Sequence, residues 1–282
     1  MSVRKQLRNK TWRIRRRFDR TPKVTKMLGL KVSDRPTGLP SYKPFGGPMK
    51  DREDIGHLRP GELRYQYRTS ACVGFAGATA IGILATQFLA NPSRVPQFSA
   101  FWNYWFARDE WGITNKDEGS FVEDGIRVME KFGAVDVRWM DDDTHPLEAP
   151  PRVPEEERFR ITDHREIRLW NASDRAHAAE AICDCISNGL PVIIGIATAH
   201  AVNSSTQRTG RFTVPANLSG IHPDHAVCIV GFFFDQGKLW FRFENSWGTR
   251  WGDHGYGYFP AEYLLHSALS LSAQTFSFDY QF

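Results

Sequence analysis

The sequence predicts an α+β protein with a helical first half and a sheet-rich second half, on three observations. Residues 72 to 133 carry apolar side chains at the three- and four-residue spacing of helices. Residues 190 to 277 carry short apolar or alternating runs broken by turn signals. An acidic, proline-rich stretch, 141 to 165, separates the two. At 282 residues and 41% hydrophobic side chains, there is enough apolar material for one large domain or two lobes sharing a core.

Residues 1 to 55 stand apart as a basic arm. They mix Lys and Arg runs with Pro36, Pro40, Pro44, Pro48 and the pair Gly46-Gly47, a composition that buries too little surface to fold alone. The first 50 residues hold 15 Lys or Arg against Asp19 and Asp34, a net of +13, and the remainder carries a net of −9. No apolar stretch or small-residue cleavage site follows the first charges, so the start does not read as a secretory signal. The expected location is the cytoplasm, or a particle assembled inside a cell. An arm of this charge suits an acidic partner, whether a protein surface, a nucleic acid or an anionic membrane face, with Trp12 and Phe18 available to stack or insert.

The body, residues 56 to 282, divides into a helical lobe over about 72 to 140 and a sheet lobe over about 141 to 282. From Cys72 to Ala90 there is no charge over 19 residues, barely the length of a membrane span. Gly74, Gly77, Gly82, Thr79, Thr86 and Gln87 dilute that run, so a buried central helix is expected and a transmembrane segment is not. Two more helices are predicted in 98 to 111 and 120 to 133, then a surface loop over 141 to 165. A helix over 174 to 188 should stop at Asn188-Gly189, before the buried strand LPVIIGIA. HAVCIVGFFFDQGKLWFRFENSW reads strand, turn, strand, and ALSLSAQTFSF alternates as a last strand.

Four cysteines in so long a chain make no disulfide framework. Cys183 and Cys185 sit too close for an easy bridge, and Cys228 lies in an apolar run, so a reducing compartment is expected. Cys183-Asp184-Cys185 has no second ligand pair at a metal spacing, and no cofactor is expected. The acids at 141 to 143 and 155 to 157 read as a solvated loop, and Glu244 as an outward strand residue.

The chemistry rests on motifs far apart in the chain. Gln66 lies six residues before Cys72; His225-Ala226-Val227 opens a later strand; Asn245-Ser246-Trp247-Gly248 ends the next; WGDHGYGYF follows. In that order they resemble the papain-like cysteine peptidases, including intracellular and bacterial branches, over roughly residues 60 to 275. The resemblance implies a papain-like two-lobe fold with a cleft between the lobes, and thiol-dependent hydrolysis of peptide or isopeptide bonds. Cys72 would be the nucleophile, its thiol acidified by the helix start and an imidazolium. His225 would exchange the proton with the leaving amine. Asn245 would orient the imidazole, and Trp247 would cover that bond. Gln66 and the Cys72 backbone N–H would hold the oxyanion. Gly119, Ser120 and Phe121, with Trp247, would line the substrate cleft. A second His-Ala-Val begins at His200, but only His225 opens a strand running into Gly231 and stands 20 residues before Asn245. His200 is expected in the cleft wall or a loop.

Departures from the family pattern qualify the site. Thr69 stands where the family has a disulfide cysteine, Val73 where it has tryptophan, Tyr67 where it has glycine, and Gly119-Ser120 where it has Gly-Gly. A narrower subsite is expected. The arm is too short and too rich in proline and glycine for the family's helical propeptide, so its removal is expected to leave hydrolysis intact. The alternative function is a structural or docking component of a larger phage or virus-like assembly, using the fold as a scaffold anchored by its basic arm.

Overall fold

The computed structural model of the chain describes residues 29–32, 37–88, 94–201 and 203–278. The sequence's most basic stretch, with Trp12 and Phe18, lies outside these residues, and so does the acidic partner expected for it.

Five α-helices and nine strands are found among the described residues. Helix α1 (Cys72–Phe88) is the predicted uncharged run, and Ala, Gly and Ile along it are buried. Helices α2 (Ala100–Asp109) and α3 (Val122–Lys131) pack on it, as the apolar spacing predicts. Ser99 caps α2 by accepting a hydrogen bond from the Trp102 N–H at 3.1 Å. Gly74 allows the close α1–α2 approach, since a Cβ there would lie 2.3 Å from the Ala100 carbonyl oxygen. No helix among the described residues is long and apolar enough to cross a membrane.

The second half supplies most of a seven-stranded antiparallel sheet. It contains β4 (Asp163–Ile167), β5 (Val192–Ile196), β6 (His225–Asp235), β7 (Lys238–Glu244), β8 (Tyr256–Pro260) and β9 (Ser270–Ser277) in the order β4-β9-β5-β6-β7-β8. The seventh strand, β1 (Arg52–Asp54), pairs with β6 opposite Gly231 to Phe233. A small ribbon joins β2 (Ala134–Val135) to β3 (Arg158–Phe159). Helix α4 (Ala172–Ser187), capped by Asn171 accepting from the Asp174 N–H at 2.9 Å, packs on the sheet, and the short α5 (Ser204–Thr209) precedes β6. The core is continuous between α1 and β6, whose residues Ala226 to Val230 are all buried.

Two expectations need correction. Residues 141 to 165 are not a loop throughout: they contain the turn Glu155–Glu157, β3 and the start of β4. The acids of the turn meet Arg138, Arg158 and Arg160 at the surface. The arm, too, is not separate from the body in its described part. Strand β1 lies in the body's sheet, the Tyr42 N–H donates to the Glu166 carbonyl at 2.8 Å, and the Tyr42 hydroxyl donates to Asp184 at 2.6 Å. Composition misjudged this segment because an edge strand and a few backbone bonds need little apolar surface of their own.

Candidate active site

Cys72 is the first residue of α1 and fully buried, and His225 is the first residue of β6 and fully buried. Packing of α1 on β6 brings them together: the backbone N–H of Ala226, next to His225, reaches the Cys72 sulfur. Asn245 follows β7, and its Oδ1 lies 2.8 Å from His225 Nε2. The Ser246 N–H also donates to Asn245 Oδ1 at 2.8 Å, which fixes the amide. Trp247 is almost fully buried, its ring centroid 4.7 Å from that of His225. His225 Nδ1 is buried and makes no hydrogen bond among the described residues, the thiol included.

Gln66 lies in the turn before α1, fully buried. Its Nε2 donates to the Thr69 carbonyl at 2.8 Å, its Oε1 accepts from the Ser246 hydroxyl, and the Thr69 hydroxyl donates back to the Gln66 carbonyl at 2.7 Å. Thr69 thus closes by hydrogen bonds the turn that a disulfide cysteine borders in the resemblance. Tyr67, standing where the family has glycine, has φ 53°, a left-handed conformation that glycine adopts more readily.

The segment around Gly119 is tied to the turn before Cys72 by residues the sequence reading missed. Asp117 Oδ1 accepts from the Ser70 N–H at 2.9 Å and the Tyr104 hydroxyl at 2.6 Å. The Ser70 hydroxyl donates to the Asp117 carbonyl at 3.1 Å, and the Gly119 N–H donates to the Tyr104 hydroxyl at 3.1 Å. Burial raises the Asp117 pKa, its hydrogen bonds opposing that shift. An acid in a charged surface-like stretch gives no sequence signal for this role.

The cleft holds a segment of the chain itself. Gly29 to Lys31 runs between the turn before Cys72 and Gly119-Ser120 as a strap. The Ser120 N–H donates to the Gly29 carbonyl at 2.9 Å, the Lys31 N–H donates to the Ser120 carbonyl at 3.0 Å, and Leu30 pairs with Ser120 in parallel. The Gly29 N–H reaches the Cys72 sulfur. The fit admits only glycine: a Cβ on Gly29 would lie 2.0 Å from the Ser70 carbonyl oxygen, and one on Gly119 would lie 1.9 Å from the Gly29 carbonyl oxygen. Phe121 stands just beyond, capping α3 and packing on Trp111 at 5.3 Å. The arm, expected to stand apart from the cleft, thus contacts it at Gly29 to Lys31. Three backbone hydrogen bonds and a glycine occupy the site without a helical propeptide, and neither has a compositional signature.

Beneath the strap both Cys72 and His225 are pushed toward neutrality. Burial raises the Cys72 pKa to about 11, with N–H donors from Ala226, Gly29 and Val73 opposing it. Burial lowers the His225 pKa to about 4, against Asn245 and Asp224. The acidified thiol expected from the sequence is absent in this covered state, because water is excluded from both groups. Asp224 is itself fixed by the Thr198 N–H and hydroxyl, both at 2.8 Å, and the Ala199 N–H at 2.9 Å. His200 sits in the turn Ala199–Ala201, with Nε2 3.1 Å from the Tyr263 hydroxyl.

His164 is also held to about 4 by burial, against its bond to Gln274. An unfolded histidine titrates near ~6.5, so between that pH and about 4 the unfolded chain binds a proton that the folded chain does not. This contribution to stability is present above the unfolded value and lost as pH falls through the window. The melting temperature of the wild type should therefore drop relative to a His164→Gln variant as pH is lowered from about 6.5 to about 4. Parallel melting curves in pH would remove the linkage. Buried carboxyls of opposite sign cancel in the difference.

Glu244, expected to face outward, is buried beside Asn245. Its carboxylate accepts from the Thr79 hydroxyl of α1 at 2.8 Å and pairs with Arg59 Nε at 3.0 Å. The partner is a residue whose position no strand periodicity reveals. Glu244→Ala leaves Arg59 without this partner, and breaking a buried pair in this way costs about 3–5 kcal/mol. Chemical denaturation of the variant measures it; a loss below about 1 kcal/mol would mean that the pair behaves as an exposed one.

Comparison with known proteins finds cysteine proteases. Residues 154–265 match the papain family cysteine protease profile, a span that includes His225 and Asn245. An uncharacterized peptidase C1-like protein of Acanthamoeba polyphaga mimivirus is 26% identical over 160 residues, 55% of this chain and 51% of that protein. Peptidase 1 of Psoroptes ovis is 32% identical over 148 residues, 51% of this chain and 42% of that protein. The chain thus spans about half the length of the curated relatives it matches. Xylellain, a cysteine protease from Xylella fastidiosa, shares the fold with a TM-score of 0.76, 21% identity, and coverage of 90% of this chain and 97% of that one. A digestive procathepsin L 3 of Tenebrio molitor larval midgut has a TM-score of 0.69 at 16% identity, covering 89% of this chain and 76% of that one. Profile, relatives and α+β two-lobe architecture converge: over its second half the chain resembles the papain family cysteine proteases, and its fold is papain-like.

Proposed function

We propose that the chain hydrolyses peptide or isopeptide bonds through a Cys72-His225-Asn245 triad, and that Gly29 to Lys31 closes the cleft in the state described. The observation that carries the reading is the placement of Cys72 at the start of α1, against the Ala226 N–H, with His225 held by Asn245 at 2.8 Å. Once the strap leaves, water re-enters and the Cys72 proton can pass to His225. The thiolate adds to the substrate carbonyl carbon, and the oxyanion is met by the Cys72 N–H and one hydrogen of Gln66 Nε2, whose other hydrogen binds Thr69. His225 gives its proton to the leaving amine as the C–N bond breaks, leaving a thioester. Water, deprotonated by His225, then cleaves the thioester and restores the thiol. Ser120, whose N–H and C=O both pair with the strap, would present the same groups to an extended substrate.

The covered cleft and neutral thiol also favour a second reading, a scaffold in an assembly. One experiment separates the two. Residues 37–282 are incubated with a thiol-directed, peptide-like active-site probe, the modified residue is mapped, and peptide hydrolysis is measured beside a Cys72→Ala control. Labelling at Cys72 and hydrolysis lost in the control support the peptidase. A folded, strap-free chain that neither labels nor hydrolyses supports the scaffold.

A further inference from the structure

A cavity of about 1130 Å³ lies away from the cleft. Strand β6 connects the two: Phe232 and Phe233 line the cavity, seven and eight residues beyond His225, which at ~3.3 Å per residue is about 23–26 Å. Five arginines converge on it from separate elements: Arg52 of β1, Arg208 at the end of α5, Arg211 just after it, Arg242 of β7, and Arg250 of the β7–β8 connection.

Two of the five are braced by the fold. Arg211 donates to Asp235 at 2.9 Å and lies over the rings of Phe233, Trp240 and Tyr258 at 5.8, 4.9 and 5.7 Å. Arg242 pairs with Asp54 and lies 3.7 Å from the Tyr256 ring centroid. Two of the cavity's three acids are already paired with cations, Asp54 with Arg242 and Glu53 with Lys50, while Asp253 accepts from the Tyr258 hydroxyl at 2.5 Å and keeps its charge. Arg52, Arg208 and Arg250 have no carboxylate partner among the described residues, and all three are exposed toward solvent. Folding therefore brings three guanidinium groups without a carboxylate partner to one concavity, from positions 52, 208 and 250, with only Asp253 opposing them, and like charges held together favour an anion between them.

We propose that this cavity binds a compact phosphate-bearing ligand. A phosphate group concentrates about 1.5 to 2 negative charges and three acceptor oxygens, which suits several planar guanidinium forks at once. A single carboxylate carries one charge and would leave at least two of the three arginines unmatched. The ligand can come free in solution or as the head group of a lipid, and the test distinguishes these sources.

Binding of inorganic tripolyphosphate to the full chain is measured by calorimetry and by melting temperature, beside an Arg208→Gln/Arg250→Gln variant. Sodium sulfate at matched ionic strength is the reference, and vesicles containing phosphatidic acid form a second arm. The basic residues before Gly29 attract the same probes in both proteins, so the difference between wild type and variant is the readout. A saturable component weakened at least tenfold in the variant is expected, with a rise in melting temperature that sulfate does not reproduce. The vesicle arm assigns the source: wild-type binding to vesicles that the variant loses points to a lipid head group, and its absence beside tripolyphosphate binding points to a free phosphate. Wild type and variant binding both probes equally, or no saturable binding at all, overturns the proposal. Peptide hydrolysis by the strap-free form, measured in parallel, keeps this outcome separate from the cleft chemistry.

Discussion

Deleting residues 1–36 should raise the alkylation rate of Cys72 at pH 7 about 100-fold and switch on peptide hydrolysis. The magnitude follows from the thiol's environment. Under the strap burial holds its pKa at about 11, and restoring the ordinary thiol value of about 8.5 increases the thiolate fraction at neutral pH by about two orders of magnitude. Access adds to that gain, since Cys72 is now fully buried. The truncated chain keeps β1, Tyr42 with its bonds to Glu166 and Asp184, and every residue of the site. A second variant reaches the same state without truncation. Gly29→Leu places a side chain where the Ser70 carbonyl oxygen stands 2.0 Å from the first added carbon, so the strap cannot seat. Cys183, Cys185 and Cys228, all buried and all with raised pKa values, serve as internal references and should stay slow. If Cys72 labels at the same rate in the full chain, the truncated chain and Gly29→Leu, the strap is not what protects the thiol.

That expectation reverses the one drawn from the sequence, and the reason is physical. Helices α1, α2 and α3 and strands β5, β6, β7 and β9 were legible because each buries a face whose spacing is written in consecutive residues. Gln66, Cys72, His225 and Asn245 stand out in the sequence because the residue types come in a recognisable order at fixed spacings, and the fold buries all four. What escaped depends on backbone groups and on partners distant in the chain. The strap engages Ser120 and Cys72 through N–H and C=O groups that every residue carries, so Met27-Leu28-Gly29-Leu30-Lys31 announces nothing. Strand β1 has only three residues, alternating in exposure, and finds its place because Gly231 lets its backbone come close to β6. Glu244 was assigned outward from its charge, yet Arg59, 185 positions earlier, supplies the countercharge that makes burial tolerable. Asp117 follows the same logic with Ser70 and Tyr104.

In the strap-free chain, His225→Ala should lower peptide turnover by about 10²–10⁴-fold, the range that a positioned acid–base group contributes. It should also remove the advantage of Cys72 in alkylation at pH 6, because no imidazolium then stabilises the thiolate. Neighbouring variants give the loss its meaning. Asn245→Ala should cost less, since the imidazole loses its 2.8 Å anchor but remains packed on Trp247 and still samples the productive orientation. Gln66→Ala should lower turnover by about 10²–10³-fold through the oxyanion. Unlike His225→Ala, it should also lower the melting temperature, because Gln66 ties Thr69 to Ser246 across the site. His200→Ala should leave turnover near the wild-type value, its ring being held to Tyr263 at 3.1 Å in a separate turn. Turnover within tenfold of wild type in His225→Ala, with a collapse in His200→Ala, would move the acid–base role to the other His-Ala motif. The pH profile provides the final discrimination: with His225 present and rehydrated, its pKa should rise from about 4 toward the ordinary histidine range, so Cys72 ionisation and turnover should extend well below pH 8. With alanine at 225 both should follow the free thiol and fade below it.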